Sequence, residues 1–168
     1  KLDASSVPAW AKYPMGVAAI LQQEGHSLRG AKMTLRSTVP MGAGLSSSAA
    51  VEAAFALAFC RAAGVKMKPE KVALLCQRAE NEFVGMRCGI MDQFISLLGK
   101  KDAALFIDCS NLEHSLVPVD ESKAQIVVCD TQVKRELTNS PYNLRRGECE
   151  EALAIMRRHA PEISSYHD

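Results

Sequence analysis

Gly42 and Gly44 stand just ahead of Leu45 and three consecutive serines, Ser46, Ser47 and Ser48, which run straight into an alanine-rich stretch from Ala49. Glycines in such a turn take up positive φ and let the backbone come close to a ligand. The unpaired N–H groups and partial positive charge of a helix start favour phosphate oxygens. Serine hydroxyls add donors to phosphate and are hard oxygen ligands of the kind Mg²⁺ takes. The residue types therefore suit a phosphate-bearing ligand. The same pattern also serves as a simple N-cap, so the rest of the chain has to decide between the two.

The elements around this turn alternate between α and β signals. Residues 9–24 carry a helical pattern with Pro14 near its start and Gly25 at its end, and residues 32–39 alternate as a half-buried strand that feeds the turn. A helix is expected from Ala49 to Ala63, stopped by Gly64. Pro69 opens another at its favoured first position, with Val72, Leu75, Ala79 and Phe83 as its apolar stripe and Gly85 as its stop. A short helix from Asp92 to Leu98 follows the Cys88-Gly89 turn. Strands are expected near 103–109, 113–119 and 124–130, and a last helix from about Asn143 to His159. The polar, turn-prone segment Pro118–Lys123 is the expected domain boundary, dividing the chain into residues 1–118 and 119–168.

Composition narrows the classes of function. The 168 residues are 48% apolar and 23% charged, enough to bury a core in one domain or one plus part of another. A net charge of +1 with 5% aromatics leaves no footprint for nucleic acid, and no apolar run approaches membrane-spanning length. The six cysteines contain no CxxC pair and read as reduced, buried thiols of a cytoplasmic protein; no signal peptide is visible. The four histidines are isolated, which argues against a built-in transition-metal site. The chain begins at Lys1 and stops without a clear terminal element, so it reads as a fragment.

Two common phosphate-binding architectures do not fit the turn. Gly42-x-Gly44-x-x-Ser47 lacks the third glycine of a dinucleotide fold, and the strand expected before it alternates where a central parallel strand would be continuously apolar. A GxxxxGK[ST] sequence is absent as well. The segment from Pro40 to Ala50 instead resembles the central phosphate-binding motif of the galactokinase, homoserine kinase, mevalonate kinase and phosphomevalonate kinase superfamily. Within that superfamily, Ala79-Glu80-Asn81-Glu82-Phe83-Val84-Gly85, Cys88-Gly89-Ile90-Met91-Asp92-Gln93-Phe94 and the block from Tyr142 to Glu151 are similar to galactokinases. Four blocks in the right order are far more specific than any one of them.

The resemblance implies an α+β fold: an N-terminal domain like the second domain of ribosomal protein S5, then the start of a C-terminal domain, with the site in the cleft. It implies ATP-dependent phosphorylation of galactose at the anomeric hydroxyl, with ATP and Mg²⁺, in a protein that is monomeric at full length. Ser46, Ser47 and Ser48 match serines that meet the nucleotide phosphates, together with Gly42, Gly44 and Leu45 of the turn. Ser48 and Glu80 match the metal side, and Trp10 matches an aromatic near the adenine. Asp92 matches the catalytic aspartate, while Gly89 and Tyr142 match sugar-contacting positions. The family's N-terminal sugar-binding motif would lie before Lys1 and its glycine-rich C-terminal motif after Asp168.

The chemistry is consistent with these residue types. Phosphoryl transfer passes through a loose transition state, so positioning and charge neutralisation matter more than a strong base, and a carboxylate such as Asp92 at a helix start suffices. Each assignment has a rival. Asp92 could be a helix cap, Glu80 a solvated helix residue, Trp10 part of a core or staple, and Tyr142 a cap of the last helix; Glu82 is a decoy. Lys134 and Arg135 read as a solvated charge pair, and Arg145 and Arg146 as partners of the following acids on a helix surface. Two alternatives to galactose turnover stay open: a sugar- and ATP-binding sensor without catalysis, and a kinase for a related sugar such as N-acetylgalactosamine. In the chain alone, Ile126, Val128, Leu153 and Ile155 are expected to lack partners.

Overall fold

The computed structural model describes residues 7–131 and 141–166. They belong to two compact units, Lys1–Lys134 and Arg135–Asp168. In the first, a 3₁₀ turn at Ala9–Ala11 leads into α1, Lys12–Gln23, whose buried face is Pro14, Gly16, Val17, Ile20 and Leu21. Pro14 falls in the first turn of α1, where a missing N–H costs no intrahelical bond. Helix α2, Ser47–Ala63, is made largely of alanine and stops at Gly64. Helix α3, Pro69–Arg78, continues without a break into a π-helical segment, Ala79–Val84, and α4 spans Met91–Leu98. Strands β1, Ala103–Ile107, and β2, His114–Pro118, pair antiparallel with Leu105 opposite Leu116 and Ile107 opposite His114. The fold is α+β. In the second unit, α5 spans Pro141–His159 and buries none of its described residues.

Two apolar clusters hold the first unit together. Val17, Ile20 and Leu21 of α1 meet Ala56 and Cys60 of α2 and Val72, Leu75, Cys76 and Ala79 of the third helical stretch. The second cluster, Ala73, Ile90 and Phe94, is covered by Leu105 and Ile107 from the inner face of β1, while Phe106 on the other face is exposed. The Phe94 ring also meets His114 of β2 edge-on at 5.6 Å, so α4 is anchored to the hairpin. At Gly16, α1 passes so close to the π-helical segment that a Cβ would stand 3.1 Å from the Ala79 carbonyl oxygen and from Phe83 Cβ.

All five expected helices form within a few residues of their expected limits, and so do the hairpin strands. The strands expected at 32–39 and 124–130 do not form. A strand needs a neighbour to take its N–H and C=O groups, and among the described residues the sheet has only β1 and β2. The expectation of buried thiols also needs correction: all six cysteines are free, but Cys109, in the turn between β1 and β2, and Cys129 and Cys149, whose segments bury no described residue, are exposed. Ile126, Val128 and Ile155 are exposed as expected, Ile126 to 82%, whereas Leu153 is half-buried. Arg145 pairs with Glu148 at 2.7 Å and Arg146 with Glu150 at 3.0 Å on the surface of α5. Lys134 and Arg135 lie outside the described residues.

Candidate functional site

The turn before α2 is set by its backbone. Gly42, Gly44 and Ser46 take φ of 73°, 71° and 57°, left-handed at every second position. A Cβ on either glycine would meet nothing within 4 Å, so conformation and not crowding selects glycine there. Ser46 is the residue that caps α2, yet its side chain makes no capping bond. A serine held in the left-handed region stores strain of the kind found at ligand clamps. Along the turn runs an open groove of about 660 Å³, with Gly44, Leu45 and Ser46 on its wall and Ala53, Leu57 and Ile95 among its apolar lining.

One turn into α2, the surroundings change from exposed backbone to buried side chains. Among the described residues the buried polar side chains are Glu52 (0% exposed), Glu80 (3%) and Gln93 (0%), and they form one cluster. Gln93 Nε2 donates to Glu80 Oε2 at 2.8 Å and to Glu52 Oε2 at 3.3 Å. The Cys88 thiol donates to Glu80 Oε2 at 3.4 Å and also reaches Asn81 Oδ1 at 3.4 Å. The Ser48 hydroxyl hydrogen-bonds the Glu80 carboxylate, and Asp92 lies close enough for its charge to be felt there. Glu80 is delivered by the π-helical segment, where its carbonyl accepts from both Gly85 and Met86 N–H. Such segments recur at functional sites.

Burial sets the electrostatics of the cluster. Loss of hydration, followed by the charge of Glu80, pushes the Glu52 carboxyl up to about 9. Burial also raises Glu80, with Asp92 adding to the rise, while the bonds from Cys88, Ser48 and Gln93 oppose it by favouring the ionised form. Burial therefore favours the neutral form of Glu52. Tyr13 of α1 is pushed up to about 12, first by burial and then by Glu80 and Glu52, and burial likewise raises the Cys88 thiol, which keeps its proton to donate.

The structure thus joins Ser48 and Glu80 just beyond the left-handed turn, within reach of the charge of Asp92. Asp92 is exposed in the first turn of α4, and its carbonyl accepts the Ser96 hydroxyl at 2.8 Å. Gly89 is exposed in the loop just before α4. Trp10, 58% exposed, belongs to no core cluster. Tyr142 is exposed near the start of α5, in the second unit. Glu82 pairs with Arg78 at 2.9 Å on the surface and takes no part in the cluster. Ser48 Oγ and the Glu80 carboxylate are adjacent hard oxygens, a donor set that fits Mg²⁺ shared with phosphate, since Mg²⁺ is usually held by one or two protein groups plus phosphate oxygens.

Sequence reasoning missed Glu52, Cys88 and Tyr13. Glu52 lies four residues after Ser48, a spacing that puts both on one face of α2, and it is the one acid in a largely apolar helix. That was the available signal for it. Cys88 and Tyr13 carry none, because only tertiary packing brings them to Glu80.

Comparison with known proteins defines the class. Residues 12–100 match the family described as "GHMP kinases N terminal domain", and the chain belongs to that family. The particular relatives are galactokinases. The chain is 47% identical over 160 residues to that of Roseiflexus sp. (strain RS-1), covering 95% of this chain and 41% of the relative. It is 43% identical over 148 residues to that of Thermosipho africanus (strain TCF52B), covering 88% and 42%. The crystal structure of Lactococcus lactis galactokinase complexed with galactose superposes with a TM-score of 0.77 at 27% identity, over 96% of this chain and 42% of that one. The chain therefore spans about two-fifths of the length of these relatives.

Proposed function

We propose that this chain supplies the nucleotide-phosphate and catalytic-carboxylate part of a kinase that phosphorylates galactose at its anomeric hydroxyl. The single observation that carries the reading is the Ser48 hydroxyl bonded to the Glu80 carboxylate two residues beyond the left-handed turn, with the charge of Asp92 acting on that carboxylate. In this reading residues 42–48 receive the ATP phosphates on backbone N–H groups and serine hydroxyls. Ser48 and Glu80 would hold Mg²⁺, whose charge neutralises the β- and γ-phosphates when bound. Asp92 orients the sugar hydroxyl. As the sugar oxygen bonds to the γ-phosphorus, the bond from phosphorus to the bridging oxygen breaks, ADP leaves with that electron pair, and Asp92 takes the hydroxyl proton.

Gly89 and Tyr142 are assigned to the sugar and Trp10 to the adenine; the exposure of all three suits contact with a ligand. Residues 1–118 form the N-terminal kinase domain and 119–168 begin the C-terminal one, in a monomeric cytoplasmic protein. The test is galactose-dependent ADP release by the chain completed to the length of its relatives. Turnover with galactose supports the reading. ATP and galactose binding without turnover identifies a sensor, and turnover only with N-acetylgalactosamine or another hexose changes the substrate. The 168-residue chain alone is expected to be inactive, because it spans only about two-fifths of its relatives.

A further inference from the structure

We propose that Gln93 is a positioning residue: by bridging Glu52 and Glu80 it holds the Glu80 carboxylate against Ser48 and so sets how tightly the pair takes a divalent cation with nucleotide. The inference rests on the assignment of Ser48 and Glu80 to the cation, and deepens it. Three separate elements carry the site, α2 with Ser48, the π-helical segment with Glu80, and α4 with Asp92. Gln93 is the side chain that ties all three together. It follows Asp92 in α4 and precedes Phe94, which is fully buried against the hairpin, so its own backbone is anchored. Its two amide hydrogens go to two acids on two other elements, Glu80 Oε2 at 2.8 Å and Glu52 Oε2 at 3.3 Å.

Few side chains could do this. One nitrogen with two hydrogens and no charge serves both acceptors without adding a cation to a buried site. A glutamate would add a third acid, and an apolar residue would leave the carboxylates without that donor. Glu52 is the outer anchor: it lies on α2, four residues after Ser48, and Gln93 Nε2 is the donor to its Oε2. The Glu52 carboxyl also hydrogen-bonds Glu80 directly, so the acid at each end of the Gln93 bridge is tied to the other.

The test uses Mn²⁺ as the spectroscopic stand-in for Mg²⁺. Its affinity in the presence of ATP is measured by electron paramagnetic resonance on the chain completed to its relatives' length, together with thermal midpoints and galactose-dependent ADP release. Gln93→Met keeps the length of the side chain and removes both donors; Mn²⁺ affinity should fall about 10–100-fold, the usual cost of removing a residue that orients a metal ligand. Glu52→Leu reaches the same bridge from its other end. It should bind Mn²⁺ about tenfold more weakly while its thermal midpoint holds or rises, because a buried acid has given way to an apolar side chain. That combination separates positioning from a structural role, which would leave the affinity of the folded variant unchanged. Wild-type Mn²⁺ affinity in either folded variant overturns the inference while leaving the assignment of Ser48 and Glu80 in place. A folded wild type that binds no Mn²⁺ with ATP overturns both.

Discussion

The turn at residues 42–46 and the cluster of Glu52, Glu80 and Gln93 adjoin through Ser48, yet they are held by opposite means. The turn is local and exposed: three left-handed residues within five positions shape it, and no neighbouring atom crowds its glycines. The cluster is distant in sequence and sealed. Its two bonds through Gln93 join residues 41 and 13 positions apart, and its three members are at most 3% exposed. The difference suits the roles proposed for the two regions. A turn that receives phosphate oxygens needs accessible N–H groups in a fixed conformation, which glycine supplies at low strain. A carboxylate that holds a cation needs its orientation fixed by donors, and burial makes those donors count.

The comparison predicts opposite responses to substitution. The largest effect on stability is expected from Phe94→Ala, which empties the packing under α4 and should cost about 3–5 kcal/mol in denaturant unfolding. A change under about 1 kcal/mol would mean that the cluster does not depend on the buried core as described.

The pH dependence of stability comes next and isolates the cluster. In the unfolded chain Glu52 titrates near its ordinary value of about 4.3; in the folded state burial and Glu80 lift it to about 9. The folded state therefore binds an extra proton between those values, and the favourable contribution, full below the lower one, is lost as pH rises toward the upper one. Denaturation of the completed chain between pH about 5 and about 8 should show stability falling, and Glu52→Gln should flatten that slope. A slope unchanged by the substitution would remove Glu52 as its source.

The turn should respond in binding. Gly44→Val places a β-branched residue at φ 71° and should cost about 1–3 kcal/mol in backbone strain. If the turn relieves part of that strain by moving, ATP affinity measured by calorimetry should fall about tenfold or more. Unchanged ATP affinity with the fold intact would separate the turn from the nucleotide.

What could be read in the sequence follows the same division. Helix limits were legible because Pro69, Gly64 and Gly85 mark them locally, and the turn because glycine spacing expresses a conformational demand. Ser48, Glu80 and Asp92 were singled out through resemblance to a family motif. The left-handed conformation of Ser46 was not, since serine carries no such signal. The bridge through Gln93 was not, because no local pattern reveals which amide will meet which acid across 41 residues. Residues 32–39 alternate and residues 124–130 carry an apolar β-branched run, but each pattern states only a preference for an extended chain; pairing depends on a neighbouring strand.

The central claim is that Asp92 acts chemically at a site that Ser48 and Glu80 prepare for nucleotide. Its most direct test compares galactose-dependent ADP release by the completed wild-type chain with that of Asp92→Asn, with ATP affinity measured in parallel. The amide keeps the shape of the carboxylate but accepts no proton and carries no charge, so turnover should fall about 10²–10⁴-fold while ATP affinity and the fold are retained. Turnover by Asp92→Asn at the wild-type rate would contradict the account.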